Sequence, residues 1–450
     1  MIRQQRIIVV GGNAAGPAAA AKAKRINANA NVKIFEAGNF ISTGVCEVPY
    51  VLSGDIKSYE DIIYYSAESF LKDKGVNVYL NHLVEKINRR DKLVLVRNLS
   101  TDEKIEYPYD SLILTTGSYS KSVPGFPNGL KNIFYLKSVN DLLRLKEYLY
   151  ENTVKSSVIL GGGYIGIEAA EALIKNGINV TIIEEEKLPL PNAEEEIGKR
   201  ILTTLNNNSV RFVGSSKELE PFIKNDSVVT VNCEGKFIQS EIVILAVGIL
   251  PNVRLAELAG LNIGASGGIK VDRKLRTSDR NIFAAGDNIE FINAITGKSD
   301  YFPFATYAHT FGHIAGENAA GGNINADAIV KNVSMKVFDK YYSSVGLNSK
   351  EAMAHNLKFN RITAEVSNLV KVMPGSDKVY GELIFNSENK KIIGASFYGG
   401  REVSGYSDLV DSLIYSGQTV EFLNMISYNY TPPLSPFINL LSVLGRKAKN

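Results

Sequence analysis

Cysteine and histidine are scarce in this chain of 450 residues, which contains two cysteines and four histidines. The two cysteines, Cys46 and Cys233, form no CxxC motif, and the histidines form no cluster with zinc-type spacing. The sequence therefore argues against a disulfide-stapled scaffold. It also argues against a Cys/His metal centre, and we predict no metal site.

The chain also lacks an excess of charge of either sign and any long hydrophobic run. Fifty Lys and Arg residues against 47 Asp and Glu residues leave a net charge of +3, with no extended basic run, so we predict no nucleic-acid partner. The longest apolar run, residues 242–250, is about half as long as a membrane-spanning helix. Residues 1–6 lead into a strand-like stretch rather than a signal peptide. We therefore predict a cytoplasmic protein without a membrane anchor.

The composition is that of a folded globular protein, with 45% apolar and 22% charged residues. Because domains contain about 150 residues each, the length predicts about three of them.

The first motif is a strand, a glycine-rich turn and a helix. The apolar run 7–10 ends at the turn 11–16 (GGNAAG), and an alanine-rich stretch with helical propensity follows. A second apolar run, 32–35, closes with Glu36, twenty residues after Gly16. Dinucleotide-binding βαβ units place there the acid that binds the adenosine ribose hydroxyls. This pattern predicts a dinucleotide site.

The same pattern returns about 150 residues later. The apolar run 158–160 meets the turn 161–166 (GGGYIG), a helix follows, and the run 180–183 ends in Glu184. In either turn a side chain would keep a pyrophosphate from the backbone N–H groups at the helix N-terminus, whose dipole favours negative charge. Two such units predict two bound dinucleotides.

Three further apolar runs end in glycine turns, within residues 112–117, 245–251 and 277–287. We interpret them as strand ends that bring backbone or a carboxylate close to a ligand. The predicted cofactor contacts are Gly11, Gly12, Ala14, Ala15, Gly16, Glu36, Thr115, Thr116, Gly117, Gly161, Gly163, Tyr164, Ile165, Gly166, Glu184, Gly248, Gly286, Asp287 and Ala305.

The pattern changes near residue 323 to alternating strands, such as 378–385 and 392–397, followed by a helix near 407–416. These features predict an α/β protein with two Rossmann-like dinucleotide-binding domains and a C-terminal α+β domain.

Over nearly its whole length the chain resembles the FAD-dependent pyridine nucleotide-disulfide oxidoreductases. In that family an inserted NAD domain divides the FAD domain, and an interface domain follows. The resemblance implies an FAD-binding domain at 1–117 and 247–322, an NAD(P)H-binding domain at 118–246 and a dimerisation domain at 323–450. It implies a homodimer as well.

The resemblance also distributes the cofactors between the two glycine turns. The family's Gly-Asp pair, here Gly286-Asp287, contacts the flavin ribityl chain and pyrophosphate, which assigns the first turn to FAD and the second to the nicotinamide nucleotide. Tyr164 would cover the flavin and swing away for the nicotinamide. Glu184 and the two glutamates after it favour NADH over NADPH, because a 2′-phosphate would meet an acidic run.

A single cysteine occupies the family's redox loop. Two-cysteine members carry a CxxxxC pair, whereas residues 41–50 (ISTGVCEVPY) contain Ser42 and Cys46 in a Ser-x-x-x-Cys motif. This motif resembles the branch that contains coenzyme A-disulfide reductases, persulfide and sulfur reductases, NADH oxidases and NADH peroxidases. It implies that Cys46 is the redox nucleophile, with Ser42 as a catalytic neighbour. Cys233 is predicted to be an inert core residue in a hairpin.

Further residues favour the coenzyme A reductases within this branch. Oxidases and peroxidases typically carry a histidine in the first glycine loop, where this chain has Ala14. In coenzyme A-disulfide reductases the following helix presents basic residues to the coenzyme phosphates, which implies this role for Lys22 and Arg25 on one helix face. Lys24 is open between that role and a solvated helix face.

Two aromatic positions extend this resemblance. Residues 428–436 resemble a segment of the coenzyme A branch in which a tyrosine, here Tyr430, reaches across the dimer to the substrate disulfide. His309 falls where some of these reductases carry a histidine near coenzyme A, and ligand contact and simple packing are both open for it.

Two departures bear on the substrate. Glu47 follows the redox cysteine where the branch often has a small residue, and its charge is expected to disfavour an anionic substrate or to raise the thiol pKa. The second tyrosine of the coenzyme A-disulfide reductases, just before a Pro-Gly, is replaced by Val372-Met373.

The resulting hypothesis is an FAD-containing, NADH-dependent reductase of a small-molecule disulfide or persulfide. It is most like a coenzyme A-disulfide reductase. The alternatives are an NADH oxidase that reduces oxygen and a flavoprotein that donates electrons to a protein partner.

Overall fold

The computed structural model describes residues 4–448. Residues 1–3, which begin the predicted N-terminal lead-in, and residues 449–450 lie outside the described residues. The helices are α1 (Ala15–Ile26), α2 (Val48–Leu52), α3 (Ala67–Lys74), α4 (Val139–Glu151), α5 (Tyr164–Lys175), α6 (Glu195–Asn207), α7 (Arg254–Leu258), α8 (Ala305–Ala319), α9 (Ser349–Ala354), α10 (Glu402–Tyr415) and α11 (Leu440–Lys447). Short 3₁₀ helices span Val45–Glu47, Tyr59–Ile62 and Val420–Asn424.

The strands within residues 4–448 are β1 (Arg6–Val10), β2 (Asn31–Phe35), β3 (Ile41–Thr43), β4 (Ile63–Tyr65), β5 (Asn77–Tyr79), β6 (His82–Asn88), β7 (Leu93–Asn98), β8 (Lys104–Pro108), β9 (Ser111–Leu114), β10 (Ser118–Ser120), β11 (Ile133–Phe134), β12 (Ser156–Leu160), β13 (Asn179–Ile183), β14 (Arg211–Val213), β15 (Leu219–Lys224), β16 (Ser227–Cys233), β17 (Lys236–Gln239), β18 (Ile242–Leu245), β19 (Ile249–Pro251), β20 (Ile282–Ala284), β21 (Phe291–Ile292), β22 (Ser299–Asp300), β23 (Asn332–Val337), β24 (Lys340–Gly346), β25 (Phe359–Ser367), β26 (Lys378–Asn386) and β27 (Ile392–Gly399).

Two parallel sheets carry the two glycine turns. The first has the strand order β20-β9-β1-β2-β5 and the second the order β11-β18-β12-β13-β14. Their central strands are apolar and almost fully buried, as expected for parallel strands covered on both faces. In each sheet the glycine turn follows a central strand, so that the following helix begins at the carboxyl edge of the sheet, where α/β folds bind ligands.

The chain leaves the first sheet after β9 and returns to it at β20. Between them it builds the whole second sheet, and the antiparallel pair β10 and β19 joins the two crossings. This path is what a divided domain requires. The boundaries 1–117, 118–246, 247–322 and 323–450 remain a prediction.

The C-terminal part is built on a third, antiparallel sheet of order β23-β24-β27-β26-β25, against which α10 and α11 pack. The strands predicted at 378–385 and 392–397 are β26 and β27, and the helix predicted near 407–416 is α10, which begins five residues earlier. The predicted fold class, two Rossmann-like units followed by an α+β unit, is confirmed.

Within residues 4–448, no helix combines the length and the apolar character that crossing a membrane requires.

Candidate active site

A cavity of about 2140 Å³ runs along the carboxyl edges of both parallel sheets and reaches the third sheet. Small-ligand pockets are usually about 300–1,000 Å³, so this one has room for more than one ligand. The predicted site residues that line it are Gly11, Gly12, Ala14, Ala15, Arg25, Glu36, Ser42, Cys46, Thr115, Thr116, Gly117, Gly161, Gly163, Tyr164, Ile165, Glu184, Gly248, Gly286, Asp287, Ala305 and His309.

The cavity does not include four of the predicted residues: Gly16, Gly166, Lys22 and Tyr430. The two glycines have a packing role instead. A Cβ atom on Gly16 would lie 1.9 Å from the carbonyl oxygen of Gly11, and one on Gly166 would lie 2.0 Å from that of Gly161. These glycines let each helix approach its strand closely, the role of the third glycine in the dinucleotide-binding motif.

Both helices that begin at the glycine turns present free N-terminal ends to the cavity. No side chain caps α1 or α5, and neither helix has an acidic residue in its first turn. Residues of both turns line the cavity. Uncapped N–H groups at a positive helix end favour an anion, so both ends fit the pyrophosphate of a dinucleotide.

The two predicted ribose-binding acids occupy equivalent positions. Glu36 Oε2 accepts a hydrogen bond from the backbone N–H of Gly12 at 2.6 Å. Glu184 Oε2 accepts one from Gly162 at 2.6 Å, and its Oε1 accepts one from the N–H of Glu186 at 3.1 Å. Each carboxylate thereby ties its glycine turn to the end of the neighbouring strand while lining the cavity.

Asp287 lines the cavity that the first turn also lines. Its carboxylate accepts a hydrogen bond from Ser118 Oγ at 2.8 Å and lies 3.6 Å from Lys137 Nζ. Its carbonyl oxygen accepts a hydrogen bond from Tyr301 Oη at 2.9 Å. Lys137 and Tyr301 also line the cavity, and both were missed by the sequence reasoning because they lie outside recognisable motifs.

Cys46 lies in the 3₁₀ turn between β3 and α2 and is accessible from the cavity. The loop is held against the first glycine turn: the N–H of Ser42 donates to the carbonyl of Gly12 at 2.9 Å, and the N–H of Thr43 donates to Asn13 Oδ1 at 3.0 Å. Ser42 itself has φ +50°. The thiol is therefore positioned next to the first dinucleotide turn.

The surroundings of Cys46 disfavour its thiolate. Burial raises the pKa of the thiol, and the carboxylates of Glu47 and Glu168 raise it further, whereas Lys137 lowers it. Glu47 accepts a hydrogen bond from Tyr64 Oη at 2.9 Å. The expected effect of Glu47 on the thiol pKa is thus present.

Cys233 lies at the end of β16 in the predicted hairpin and is 1% exposed, in an apolar cluster with Val231 and Ile238. Cys233 is therefore a buried residue of the hydrophobic core.

Tyr164 and Glu168 project from the first turns of α5 into the cavity. The Tyr164 ring lies 6.4 Å from the Tyr342 ring on β24, and burial raises the pKa of Tyr164.

Glu168 is a cavity residue that the sequence did not predict. Tyr50 Oη donates a hydrogen bond to Glu168 Oε1 at 3.2 Å, and burial raises the pKa of Glu168 to about 7. Its position one helical turn after Tyr164 was the available sequence signal.

A basic group lies at one end of the cavity on α1 and α8. Arg25 Nη2 lies 3.2 Å from His313 Nδ1, and the rings of His309 and His313 contact edge to face with centroids 4.6 Å apart. Lys24 also lines the cavity, and its ammonium group donates a hydrogen bond to the carbonyl oxygen of Ala30 at 2.8 Å. Lys22 does not line the cavity, because its ammonium group pairs with Glu317 on α8 at 2.8 Å. The structure therefore disagrees with the prediction for Lys22 and favours the cavity position for Lys24.

Tyr430 lies away from the cavity of its own chain and is 49% exposed. It packs edge to face on Phe437, with ring centroids 5.4 Å apart. Met425, Leu434 and Phe437, in the same stretch of the chain, are each at least three-quarters exposed. The predicted reach of Tyr430 to a second subunit remains a prediction.

Comparison with known proteins identifies relatives over the whole length. The family model described as "Pyridine nucleotide-disulphide oxidoreductase" matches residues 5–310. An NAD(P)H coenzyme A polysulfide/persulfide reductase of Pyrococcus horikoshii is 30% identical over 449 residues, 99% of each chain. An NADH oxidase of Methanocaldococcus jannaschii is 28% identical over 444 residues, 98% of each chain. The solved structure of a NAD-dependent persulfide reductase from A. fulgidus superposes with a TM-score of 0.95 at 30% identity, covering 99% of this chain and 83% of that one.

Proposed function

Because this chain belongs to the pyridine nucleotide-disulphide oxidoreductase family, we propose that it is an FAD-containing, NADH-dependent reductase of disulfides or persulfides. The family predicted from the two glycine turns and the Cys46 motif is confirmed. One observation carries the proposal: Cys46 opens into the same cavity as both dinucleotide turns, and its loop is hydrogen-bonded to the first of them.

The residues divide the reaction between them. The first turn with Glu36 and Asp287 would hold FAD, and the second turn with Glu184 would hold the nicotinamide nucleotide. Bound FAD supplies the redox chemistry by taking a hydride and passing on two electrons. The Cys46 thiolate attacks one sulfur of RSSR, which breaks the substrate S–S bond, forms the mixed disulfide Cys46–S–SR and releases the other half as RSH. Two electrons then cleave the mixed disulfide, which regenerates the Cys46 thiolate and releases the second RSH. The sum is NADH + H⁺ + RSSR → NAD⁺ + 2 RSH, with one proton taken up per turnover.

Coenzyme A is the substrate class that the basic end of the cavity fits best. Arg25, His309 and His313 offer positive or hydrogen-bonding groups there. The Pyrococcus relative is named for coenzyme A as well. Lys22 is left out of this proposal because Glu317 pairs with it.

A rapid-mixing experiment tests the proposal. Enzyme reduced with one equivalent of NADH is mixed separately with coenzyme A disulfide, with polysulfide and with oxygen, and flavin reoxidation is followed by its absorbance. We expect one of the sulfur substrates to reoxidise the flavin at least about 100-fold faster than oxygen at equal concentration, since Ala14 replaces the histidine of the oxygen- and peroxide-reducing members.

The rival functions give different results in this experiment. If oxygen reoxidises the flavin fastest, the oxidase alternative is established. The similarity to the Methanocaldococcus NADH oxidase supports this alternative. Slow reoxidation by all three would point to a protein electron acceptor. Either result would overturn the proposed function.

Preference for NADH over NADPH is the first prediction about specificity. Glu184 lines the cavity with its carboxylate at the second turn, where a 2′-phosphate would meet it. Like charges in contact cost about 1–3 kcal/mol, so we expect kcat/KM for NADH to exceed that for NADPH by roughly ten- to a hundredfold. Glu184→Ala should reduce this ratio about tenfold.

Of the acidic run predicted to disfavour NADPH, Glu184 and Glu185 line the cavity and Glu186 does not. Glu186→Ala is therefore the matched control, because it removes the same charge from an exposed side chain outside the cavity. Its NADH:NADPH ratio should stay at the wild-type value. If the substitution loosens the second glycine turn, kcat/KM falls for both nucleotides alike, and the NADH:NADPH ratio does not change for that reason. Equal kcat/KM for both nucleotides in the wild type would refute the prediction, and an unchanged ratio in Glu184→Ala would exclude Glu184 as the cause.

A further inference from the structure

Glu47 follows the redox cysteine directly, and its carboxylate has a fixed place in the structure. Cys46 and Glu47 share one 3₁₀ turn, in which the N–H of Glu47 donates to the carbonyl oxygen of Gly44 at 3.2 Å. The carboxylate folds back over Gly44, since a Cβ atom on that glycine would lie 2.4 Å from Glu47 Oε2. Glu47 Oε1 accepts the hydrogen bond from Tyr64 Oη on β4 at 2.9 Å. Both carboxylate oxygens are thereby placed at the wall of the cavity.

The carboxylate of Glu47 is close to the Cys46 sulfur by covalent geometry alone. Consecutive Cα atoms are about 3.8 Å apart, so the carboxylate lies within about 10 Å of the sulfur in any pair of rotamers. Gly44, Cys46, Glu47 and Tyr64 all line the cavity. A sulfur compound that reaches Cys46 therefore brings the groups next to its S–S bond into the electric field of Glu47.

The negative charge of Glu47 is not balanced by a neighbouring cation. Its hydrogen-bond donor is the phenol of Tyr64, whose pKa this hydrogen bond raises, so the donor stays neutral. Within residues 4–448, Glu47 forms no ion pair with a Lys, Arg or His side chain. Lys137, which also lines the cavity, lies 3.6 Å from the carboxylate of Asp287 instead.

A basic group of the opposite charge lies at one end of the same cavity, where Arg25 contacts His313 and His313 contacts His309. We propose that Glu47 determines which charge a substrate carries at its sulfur. The site accepts disulfides whose arms next to the S–S bond are uncharged or cationic, and it disfavours those with an anionic group there. Anionic groups remote from the sulfur are left to the basic end.

This inference rests on the proposed function and narrows its substrate class. Among the sulfur substrates proposed above, it favours a disulfide with uncharged arms over inorganic polysulfide, whose terminal sulfurs are anionic.

The first test needs no turnover and uses three methanethiosulfonates, CH₃SO₂–S–R. The group R is methyl in the neutral reagent, aminoethyl in the cationic one and sulfonatoethyl in the anionic one. The Cys46 thiolate attacks the sulfur that carries R, the S–S bond breaks, the mixed disulfide Cys46–S–S–R forms and methanesulfinate leaves. The flavin-loaded enzyme is first reduced with a phosphine, and modification is followed by mass. Cys233 is 1% exposed and should not react.

The charge preference is the rate with the cationic reagent over the rate with the anionic one, divided by the same ratio for mercaptoethanol. We expect this value to exceed one in the wild type and to fall about tenfold in Glu47→Gln. Loss of one charge at this range should slow the cation about threefold and speed the anion about threefold. Gln keeps an acceptor for Tyr64, and any change in the thiol pKa is common to all three reagents and leaves the ratio unchanged.

Glu68→Gln is the matched control, because Glu68 is an exposed glutamate in the first turn of α3 that does not line the cavity. It should keep the wild-type preference. Glu47→Asp keeps the charge on a shorter side chain and should retain most of the preference. An unchanged preference in Glu47→Gln overturns the proposal. A preference in Glu47→Asp as low as in Glu47→Gln also overturns it, because side-chain shape rather than charge would then be responsible.

The second test repeats the comparison in turnover with disulfides of similar length: cystamine, which is cationic, hydroxyethyl disulfide, which is neutral, and dithiodipropionate, which is anionic. The ratio of kcat/KM for cystamine to that for dithiodipropionate should fall about tenfold in Glu47→Gln. An unchanged ratio overturns the proposal. If the wild type reduces no disulfide, the proposed function fails, whereas the modification rates of Cys46 still decide the role of Glu47.

Discussion

Replacing Cys46 with serine is expected to lower kcat for disulfide or persulfide reduction by at least about 1,000-fold, while the protein keeps its flavin and its reduction by NADH. The hydroxyl of serine is a far weaker nucleophile and cannot form a mixed disulfide. Cys46 is the accessible cysteine, and its side chain points into the cavity, whereas the loop is held by backbone hydrogen bonds of Ser42 and Thr43. The substitution should therefore remove the chemistry without disturbing the loop.

Three measurements on Cys46→Ser separate these effects: flavin content, the rate of flavin reduction in a single mixing with NADH, and steady-state turnover of disulfide. Cys233→Ser is the control, since Cys233 is buried in the hairpin core and lies outside the cavity. It should turn over at close to the wild-type rate. Full turnover by Cys46→Ser would disprove the assignment, because residues 4–448 contain no other cysteine than Cys233.

The parts of the site that could be predicted from sequence are those built by local segments. A glycine turn, its strand and its helix are contiguous in the chain, and their shape follows from the glycines within residues 11–16 and 161–166, which have no side chains. The acids Glu36 and Glu184 close the same units at a fixed distance. The Cys46 loop could be placed near the flavin turn only through the family resemblance, since its contacts to Gly12 and Asn13 join residues some thirty positions apart.

The parts that could not be predicted depend on elements remote in sequence. Whether Lys22 or Lys24 reaches the cavity is decided by α8, which places Glu317 beside Lys22. Glu168 becomes a buried acid because Tyr50 from α2 and the neighbourhood of Lys336 on β23 cover it. Helical periodicity places Lys22 and Arg25 on one face of α1, but which face meets a carboxylate or a cavity is tertiary information.

Activity that depends on a second copy of the chain is the other large effect that we expect. Tyr430 and Phe437, whose rings are in contact, are exposed in the single chain, and so are Met425 and Leu434 in the same segment. Several large apolar side chains exposed in one segment commonly mark a protein interface. We propose that this segment forms a two-fold interface which delivers Tyr430 to the partner's active site, so Tyr430→Phe should lower disulfide turnover at least about tenfold without affecting flavin reduction by NADH.

Subunit mixing tests this arrangement directly. Cys46→Ser and Tyr430→Phe homodimers each have two defective sites, whereas a heterodimer has one site with both Cys46 and Tyr430 intact. In a two-fold dimer, random exchange of equal amounts makes half of the dimers mixed, each with one good site of two, so activity should recover to about one quarter of wild type. If Tyr430 served only its own subunit, each mixed dimer would hold no complete site, and exchange would restore nothing above the mean of the two variants. A fully active monomer would contradict the shared site altogether, because Tyr430 lies outside the cavity of its own chain.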